Sequence, residues 1–308
     1  MSFRSETKRL LAEFRKQRPL RGGSLIITLF GDAIAPRGGT VWLGSLIPVL
    51  EPFGLDARLV RTSVRRLVKD DWLEAHPVGR RSYYSLTAGG RRRFDSATRR
   101  IYGWPDATWD GQWSLVILPT RKLAHRDRLK KELSWLGYGS LTTGVLAHPA
   151  ADTEAVKAVL RELDVSDSVL VMGASQVPLT EPATLRQVVR QCWDLDDLEQ
   201  RYHAFLDGFR PVYRALRASR LDPEAALQLR TLLIHEYRKI TLRDPHLPLE
   251  LLPANWSGTA AYTLCRNLYA SVQPASEQFL STALETADGP LPEPTPQFFE
   301  RFGGLVTA

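Results

Sequence analysis

Twelve residues, HEYRKITLRDPH (235–246), bring His235, Glu236, Asp244 and His246 together. Imidazoles and carboxylates in one short stretch can move protons, hold a metal or grip a ligand. Their spacing restricts these options. A zinc-protease helix needs its second histidine four residues after the first, so that both face one ion. Lys239 occupies that position. His235 and Glu236 are adjacent, hence about 100° apart on a helix, and share an ion poorly. Glu236 and Lys239 are spaced to pair on a surface, while Tyr237 and Ile240 fit core positions. Asp-Pro forms turns, so Asp244 reads as a cap or turn residue. Four readings stay open: a helix-to-loop junction, a ligand contact, a metal site, and a catalytic centre using His235, Glu236 and Asp244.

Other reactive patterns fail on context. Gly137-Tyr138-Gly139 follows a helical stretch rather than a strand, which a dinucleotide loop requires. Gly173-Ala174-Ser175 is followed by Gln176-Val177 and lacks the second glycine of a nucleophile elbow. His125 and His148 stand apart and read as surface or turn residues. Cys192 and Cys265 are distant, with no CxxC pair. That argues against a structural zinc or disulfide framework and suits a reducing cytoplasm. No run of about 18 apolar residues predicts a membrane span. The basic N-terminus lacks the apolar core of a signal peptide.

The elements that must position any site show a strong charge asymmetry. Residues 1–100 carry 20 Lys/Arg against 9 Asp/Glu, while residues 101–308 carry 21 against 25. The net charge of +7 therefore originates in the first third, which suits a polyanionic partner. There, SLIITLFGDAI (24–34) reads as a buried helix and VWLGSLIPVLEPFG (41–54) as a short helix stopped by Pro52 and Gly54. LDARLVRTSVRRLVKDDWL (55–73) follows, with Asp56 as N-cap. Val60, Val64, Leu67 and Val68 mark its apolar face. Arg58, Arg61, Thr62, Arg65 and Lys69 mark the opposite face, with Arg66 on the flank. Helix, glycine-containing turn and basic helix follow the helix-turn-helix order. WLEAH (72–76) and RSYYSLT (81–87), joined by Pro77-Val78-Gly79-Arg80, then predict a hairpin wing. AGGRRRFDSATRRIYG (88–103) adds five arginines on a further helix.

This order predicts a winged helix whose second helix enters the major groove. Arg61, Thr62 and Arg65 are expected at base edges, where a bidentate arginine–guanine pair discriminates by roughly 1–3 kcal/mol. Arg58, Arg66, Lys69 and the wing residues Arg80, Arg81, Ser82 and Tyr83 complete the expected DNA-binding set, with Arg91–Arg93 as further phosphate contacts.

The middle of the chain alternates: SLVIL as a strand, 121–139 as a helix, SLTTGVLAHP (140–149) as a strand broken by Gly144, 153–165 as a helix, and 166–174 as a strand. This βαβαβ pattern predicts a small ferredoxin-like sheet, suited to dimerisation. From Thr180 the pattern is helical. Leu198, Tyr202, Phe205, Leu206 and Phe209 share one face, Asp222-Pro223 starts the next helix, and a last helix spans about 259–271. The expected fold is therefore α+β and multidomain. It has a winged helix-turn-helix with a basic N-terminal arm (1–103), a ferredoxin-like dimerisation domain (104–178) and a helical effector domain (179–308).

Two stretches resemble the PaaX-type repressors, which control phenylacetate catabolism in bacteria. One is VRTSVRRL with the following WL and GRRSYYSLT; the other, more specific, is HEYRKITLRDPHLPLELLPANWSG (235–258). The resemblance spans nearly the whole chain. It implies a middle domain similar to a small CRISPR-associated fold, and a non-enzymatic homodimer on an operator, palindromic if it matches the dimer's two-fold symmetry. It also implies release by an aryl-coenzyme A thioester, typically phenylacetyl-CoA. Such a ligand needs cations for phosphates and an apolar pocket for its ring. His235, Tyr237, Arg238, Arg243, Asp244, Trp256 and Arg266 are the expected effector residues, with no metal and no bound cofactor. The competing reading is an enzyme acting on acyl-CoA, or a metal-dependent hydrolase centred on His235, Glu236 and Asp244, with a DNA-binding arm. A nuclease would need a carboxylate at the end of the first middle strand, and SLVILPTR (114–121) has none.

Overall fold

The computed structural model describes residues 2–103, 109–119, 123, 125–149, 152–175, 181–216 and 221–305. Two compact units emerge, one formed by residues 1–104, 203–242 and 259–308, the other by 105–202 and 243–258. The helical effector domain expected over 179–308 contributes to both units. Its segments 203–242 and 259–308 share a unit with the N-terminal third.

The first unit opens with α1 (Phe3–Lys16), capped by the Ser2 hydroxyl, and α2 (Gly22–Leu29), which runs into a π-helical turn over Phe30–Ile34. A three-residue strand, β1 (Thr40–Trp42), precedes α3 (Leu43–Leu50). The expected helix over 41–54 is thus split, because Val41 pairs with Tyr84 in a sheet whose other strands lie far downstream. Gly54, at φ +84°, turns the chain into α4 (Ala57–Lys69). A left-handed residue here favours glycine.

The Asp56 carboxylate caps α4 by accepting from the Leu59 N–H at 2.7 Å. Val60, Ser63, Val64 and Leu67 form its buried face. Val68, expected there, is 36% exposed. The contacting stripe is narrower than the apolar pattern suggests, and Ser63 lies under Gly22 of α2. Next come β2 (Leu73–Val78), β3 (Arg81–Leu86) and α5 (Ala88–Tyr102). The antiparallel sheet has the order β1-β3-β2. Pairing continues through Pro77–Ser82 and Val78–Arg81, so the turn is only Gly79-Arg80 rather than four residues. Pro77 is tolerated because β2 is an edge strand.

The second unit contains β4 (Gln112–Ile117), α6 (Arg126–Trp135), β5 (Gly139–Thr142), β6 (Val145–His148), α7 (Thr153–Glu162) and β7 (Leu170–Ser175). The strand expected over 140–149 is a tight hairpin around Gly144, which gives four strands where three were expected. The antiparallel order β5-β6-β4-β7 follows from a βαββαβ chain path. A core of Val116, Leu129, Leu133, Tyr138, Leu146, Val156 and Leu160 lies between the sheet and α6 and α7. His148, expected at a surface or turn, is 4% exposed, and its Nε2 lies 3.0 Å from the Pro245 carbonyl oxygen.

The remaining helices are α8 (Pro182–Cys192), α9 (Leu195–Leu216), α10 (Pro223–Thr241) and α11 (Ser257–Ala283), followed by a short hairpin of β8 (Glu285–Thr286) and β9 (Gly289–Pro290). The Asp222 carboxylate caps α10 through the Ala225 N–H, as its Asp-Pro start implies. The last helix is far longer than 259–271, because it continues through Pro274 to Ala283. No described helix is long and apolar enough to cross a membrane.

Candidate nucleic-acid interface

One side of α4 is spent on packing, and the other carries charge. Arg58, Arg61, Thr62, Arg65, Arg66 and Lys69 are all exposed. Positions 58, 61, 62, 65 and 69 recur at helical spacing and form one outward stripe. The Thr62 hydroxyl donates to the Arg58 carbonyl at 2.9 Å, leaving its oxygen and methyl group outward. Arg66 reaches Asp70 at 3.6 Å, a solvent-exposed pair of small energetic weight.

The β2–β3 hairpin separates its expected contacts by strand alternation. Arg80 is exposed at the tip beside Gly79 and the 56% exposed Val78. Tyr83 is 5% exposed and faces the core, and Ser82 is half-buried. Arg81 lies over the Trp42 ring, 4.2 Å from its centroid, and pairs with Glu285 of β8 at 3.2 Å. That partner lies 204 residues away, and nothing local announces it. Arg91, Arg92 and Arg93 on α5 are exposed, with Arg93 stacked over Trp72 at 4.9 Å.

The opening motif has a structural place behind these elements. His235 and Arg238, on α10, brace α2. His235 Nδ1 lies 2.9 Å from the Thr28 hydroxyl, and Arg238 donates to that hydroxyl at 2.7 Å and to the Ser24 carbonyl at 3.0 Å. Burial, with Lys239 and Arg238 nearby, holds the His235 pKa well below its usual value, so the ring is neutral. Glu236 accepts from Lys239 at 2.8 Å and from Gln17 at 3.4 Å. Tyr237 is buried against Phe205.

The other half of the motif belongs to the second unit. There Asp244 accepts from the Tyr202 hydroxyl at 2.5 Å and from the His246 N–H at 2.7 Å, a local turn contact. Trp256 is buried against Tyr202. The seven expected effector residues thus divide, with His235, Tyr237, Arg238 and Arg266 in one unit and Arg243, Asp244 and Trp256 in the other. Among the described residues, no group of three His, Cys, Asp or Glu side chains could hold a metal. In the second unit, a cleft of about 740 Å³ lies between α8 and residues 249–254, lined by Arg186, Gln187, Arg190, Leu249, Leu251 and Pro253.

A buried ionic cluster fixes the first unit from within. Asp32, in the π-helical turn, accepts from the Tyr102 hydroxyl at 2.7 Å, the Tyr269 hydroxyl at 2.9 Å, Arg230 Nε at 2.7 Å and Arg301 at 3.0 Å. Arg230 also donates to Glu277, which pairs with Arg37. Burial alone would raise the Asp32 pKa, but Arg230 and Arg301 hold it below its ordinary value. Asp32 was not singled out from the sequence, and every partner that would mark it is remote in the chain.

Comparison with known proteins agrees along the chain. Sequence models of the PaaX-like protein, the PaaX protein central Cas2-like domain and the PaaX-like protein C-terminal domain match residues 21–90, 106–186 and 193–282. The transcriptional repressor PaaX of Escherichia coli (strain K12) is 42% identical over 290 residues, covering 93% of this chain and 92% of the relative. That relative is a regulator rather than an enzyme. A solved structure of the uncharacterized protein Rv0674 from Mycobacterium tuberculosis aligns with 76% of this chain and 89% of its own, at 22% identity and a TM-score of 0.48. With the three family domains matched in order and a repressor this similar, the chain belongs to the PaaX family.

Proposed function

We propose that this chain is a homodimeric repressor of a phenylacetate-type catabolic operon, released from its operator by an aryl-CoA thioester such as phenylacetyl-CoA. The observation that carries the DNA-binding part is the outward stripe of α4, set between a glycine turn and a two-stranded hairpin in winged helix-turn-helix order. Similarity to a transcriptional repressor supports the regulatory part. Dimerisation is assigned to the ferredoxin-like sheet. In support, its edge strand β7 exposes Leu170, Val171 and Met172 at 57%, 38% and 43%. A two-fold dimer would match a palindromic operator.

Arg61, Thr62 and Arg65 are proposed to read bases, and Arg58, Arg66, Lys69 and Arg80 to hold phosphates. Arg65→Ala is expected to weaken binding to a duplex selected from a random library more than binding to an unselected duplex. Equal losses on both, at matched salt, would remove Arg65 from base readout. Lys69→Ala is expected instead to make the slope of log affinity against log salt shallower by about 0.9.

Of the expected effector residues, Arg243 and Arg266 are exposed and available to phosphates. The α8 cleft has the size of a ligand site, and Arg186 and Arg190 line it. Gel shifts on the selected duplex test the effector. Phenylacetyl-CoA is expected to release the DNA, and coenzyme A alone is not. Retention with every aryl-CoA thioester would remove the effector while leaving the repressor intact.

A further inference from the structure

We infer that the segment Arg15–Arg21 is a second DNA-contacting surface, which binds phosphates flanking the site read by α4. This rests on the proposed reading of the first unit as a DNA binder. Four of the segment's seven residues are exposed cations: Arg15, Lys16, Arg18 and Arg21. The segment is not the end of a loose arm. Phe3, Leu10, Leu11 and Phe14 bury α1 into the unit. The Phe14 ring packs edge-on against His235, with centroids 5.5 Å apart, and against Phe53, at 6.2 Å, in the turn that leads into α4.

Both ends of the segment are fixed against the reading helix or its leading turn. The Arg15 stem crosses Gly54, where a Cβ would meet Arg15 Cγ at 3.0 Å. Just beyond Arg21, Gly22 packs on Leu55 and Ser63, and Gly23 on Leu67. The segment is therefore held at set positions against α4 and the turn that leads into it. Arg15 donates to the Leu11 carbonyl, and Arg18 to the carbonyls of Arg15 and Gln17. None of the four forms an ion pair with a carboxylate among the described residues. Asp222 and Glu224 share a cleft with Arg15 but accept from neutral donors, the Ala225 N–H and Gln228. The N-terminus of α2 begins here with no side-chain cap, and its partial positive charge adds to the same field. Fixed cations without carboxylate partners, flanking a groove-reading helix, suit phosphates rather than base edges.

The test uses the full-length protein with Arg15→Gln, Arg18→Gln and Arg21→Gln combined, on a random-sequence duplex over a salt series. The slope of log affinity against log salt is expected to become shallower by about 2.7, at about 0.9 per lost phosphate contact. The preference for the selected duplex over the random one is expected to stay as in wild type. Hydroxyl-radical footprinting on the selected duplex should lose protection at the flanks and keep it at the centre. An unchanged slope and footprint, in a variant with wild-type thermal unfolding, would overturn the inference. Wild-type protein with no salt-dependent DNA binding would instead remove the reading on which it rests.

Discussion

Asp32→Ala is expected to lower the stability of the first unit by about 3–5 kcal/mol, the usual cost of stranding buried charges. The substitution leaves Arg230, 0% exposed, and Arg301, 5% exposed, without the carboxylate that both address. It also strips the Tyr102 and Tyr269 hydroxyls of their acceptor. A loss of this size is a large share of the 5–15 kcal/mol that typically separates folded from unfolded protein. Urea unfolding followed by tryptophan fluorescence measures it. A loss below about 1 kcal/mol would show that the cluster rearranges or rehydrates at little cost.

The same cluster sets a pH dependence. Because the folded-state pKa of Asp32 is depressed, its contribution is present above the usual carboxylate range and is lost as pH falls through the lower folded value. His235 acts in the same direction from a higher starting point. Its folded pKa is also depressed, so protonation of the unfolded chain below about 6.5 draws the equilibrium toward unfolding. Stability is therefore expected to decline on acidification from near neutrality, in two stages. Asp32→Ala is expected to lose the lower one.

The second large effect concerns the proposed DNA-reading elements in isolation. A fragment of residues 1–103 is expected to lack a cooperative unfolding transition, although it contains α1 to α5 and the complete three-stranded sheet. The α1 and α2 helices are braced by His235 and Arg238 of α10. Four of the groups around Asp32 belong to residues 230, 269, 277 and 301. Without them the fragment buries a carboxylate with only the Tyr102 hydroxyl to satisfy it, and exposes the apolar face of α1. Dispersed methyl resonances and a sigmoidal melt from the fragment would contradict this. Arg65→Ala in the full-length protein should melt as wild type, which separates lost reading from lost folding.

How much of this was legible depended on the range of the causes. Asp56 capping α4, Asp222-Pro223 opening α10 and the glycine turn at 54 are local, and each is present as expected. The three-residue β1 has no local signature, since it exists only because β3 pairs with it. The β5–β6 hairpin hid inside one apolar run, where Gly144 reads equally as a break or a turn. Val68 shows that an apolar stripe need not be a contacting one. The HEYRK residues were conspicuous, but their purpose lies in Thr28, Ser24 and Gln17, more than 200 positions upstream. Asp32 was inconspicuous for the same reason.

The reach of Asp32 also orders events in time. Three of its partners follow it by 198, 237 and 269 residues. A ribosome adding about 5–20 residues per second takes roughly 13–54 s to deliver Arg301 after Asp32. The helices that carry the proposed DNA contacts are made well before the cluster that anchors them is complete. A nascent chain is therefore expected to be a poor ligand for DNA until Arg301 has been made. The failed 1–103 fragment would be the equilibrium counterpart of that delay.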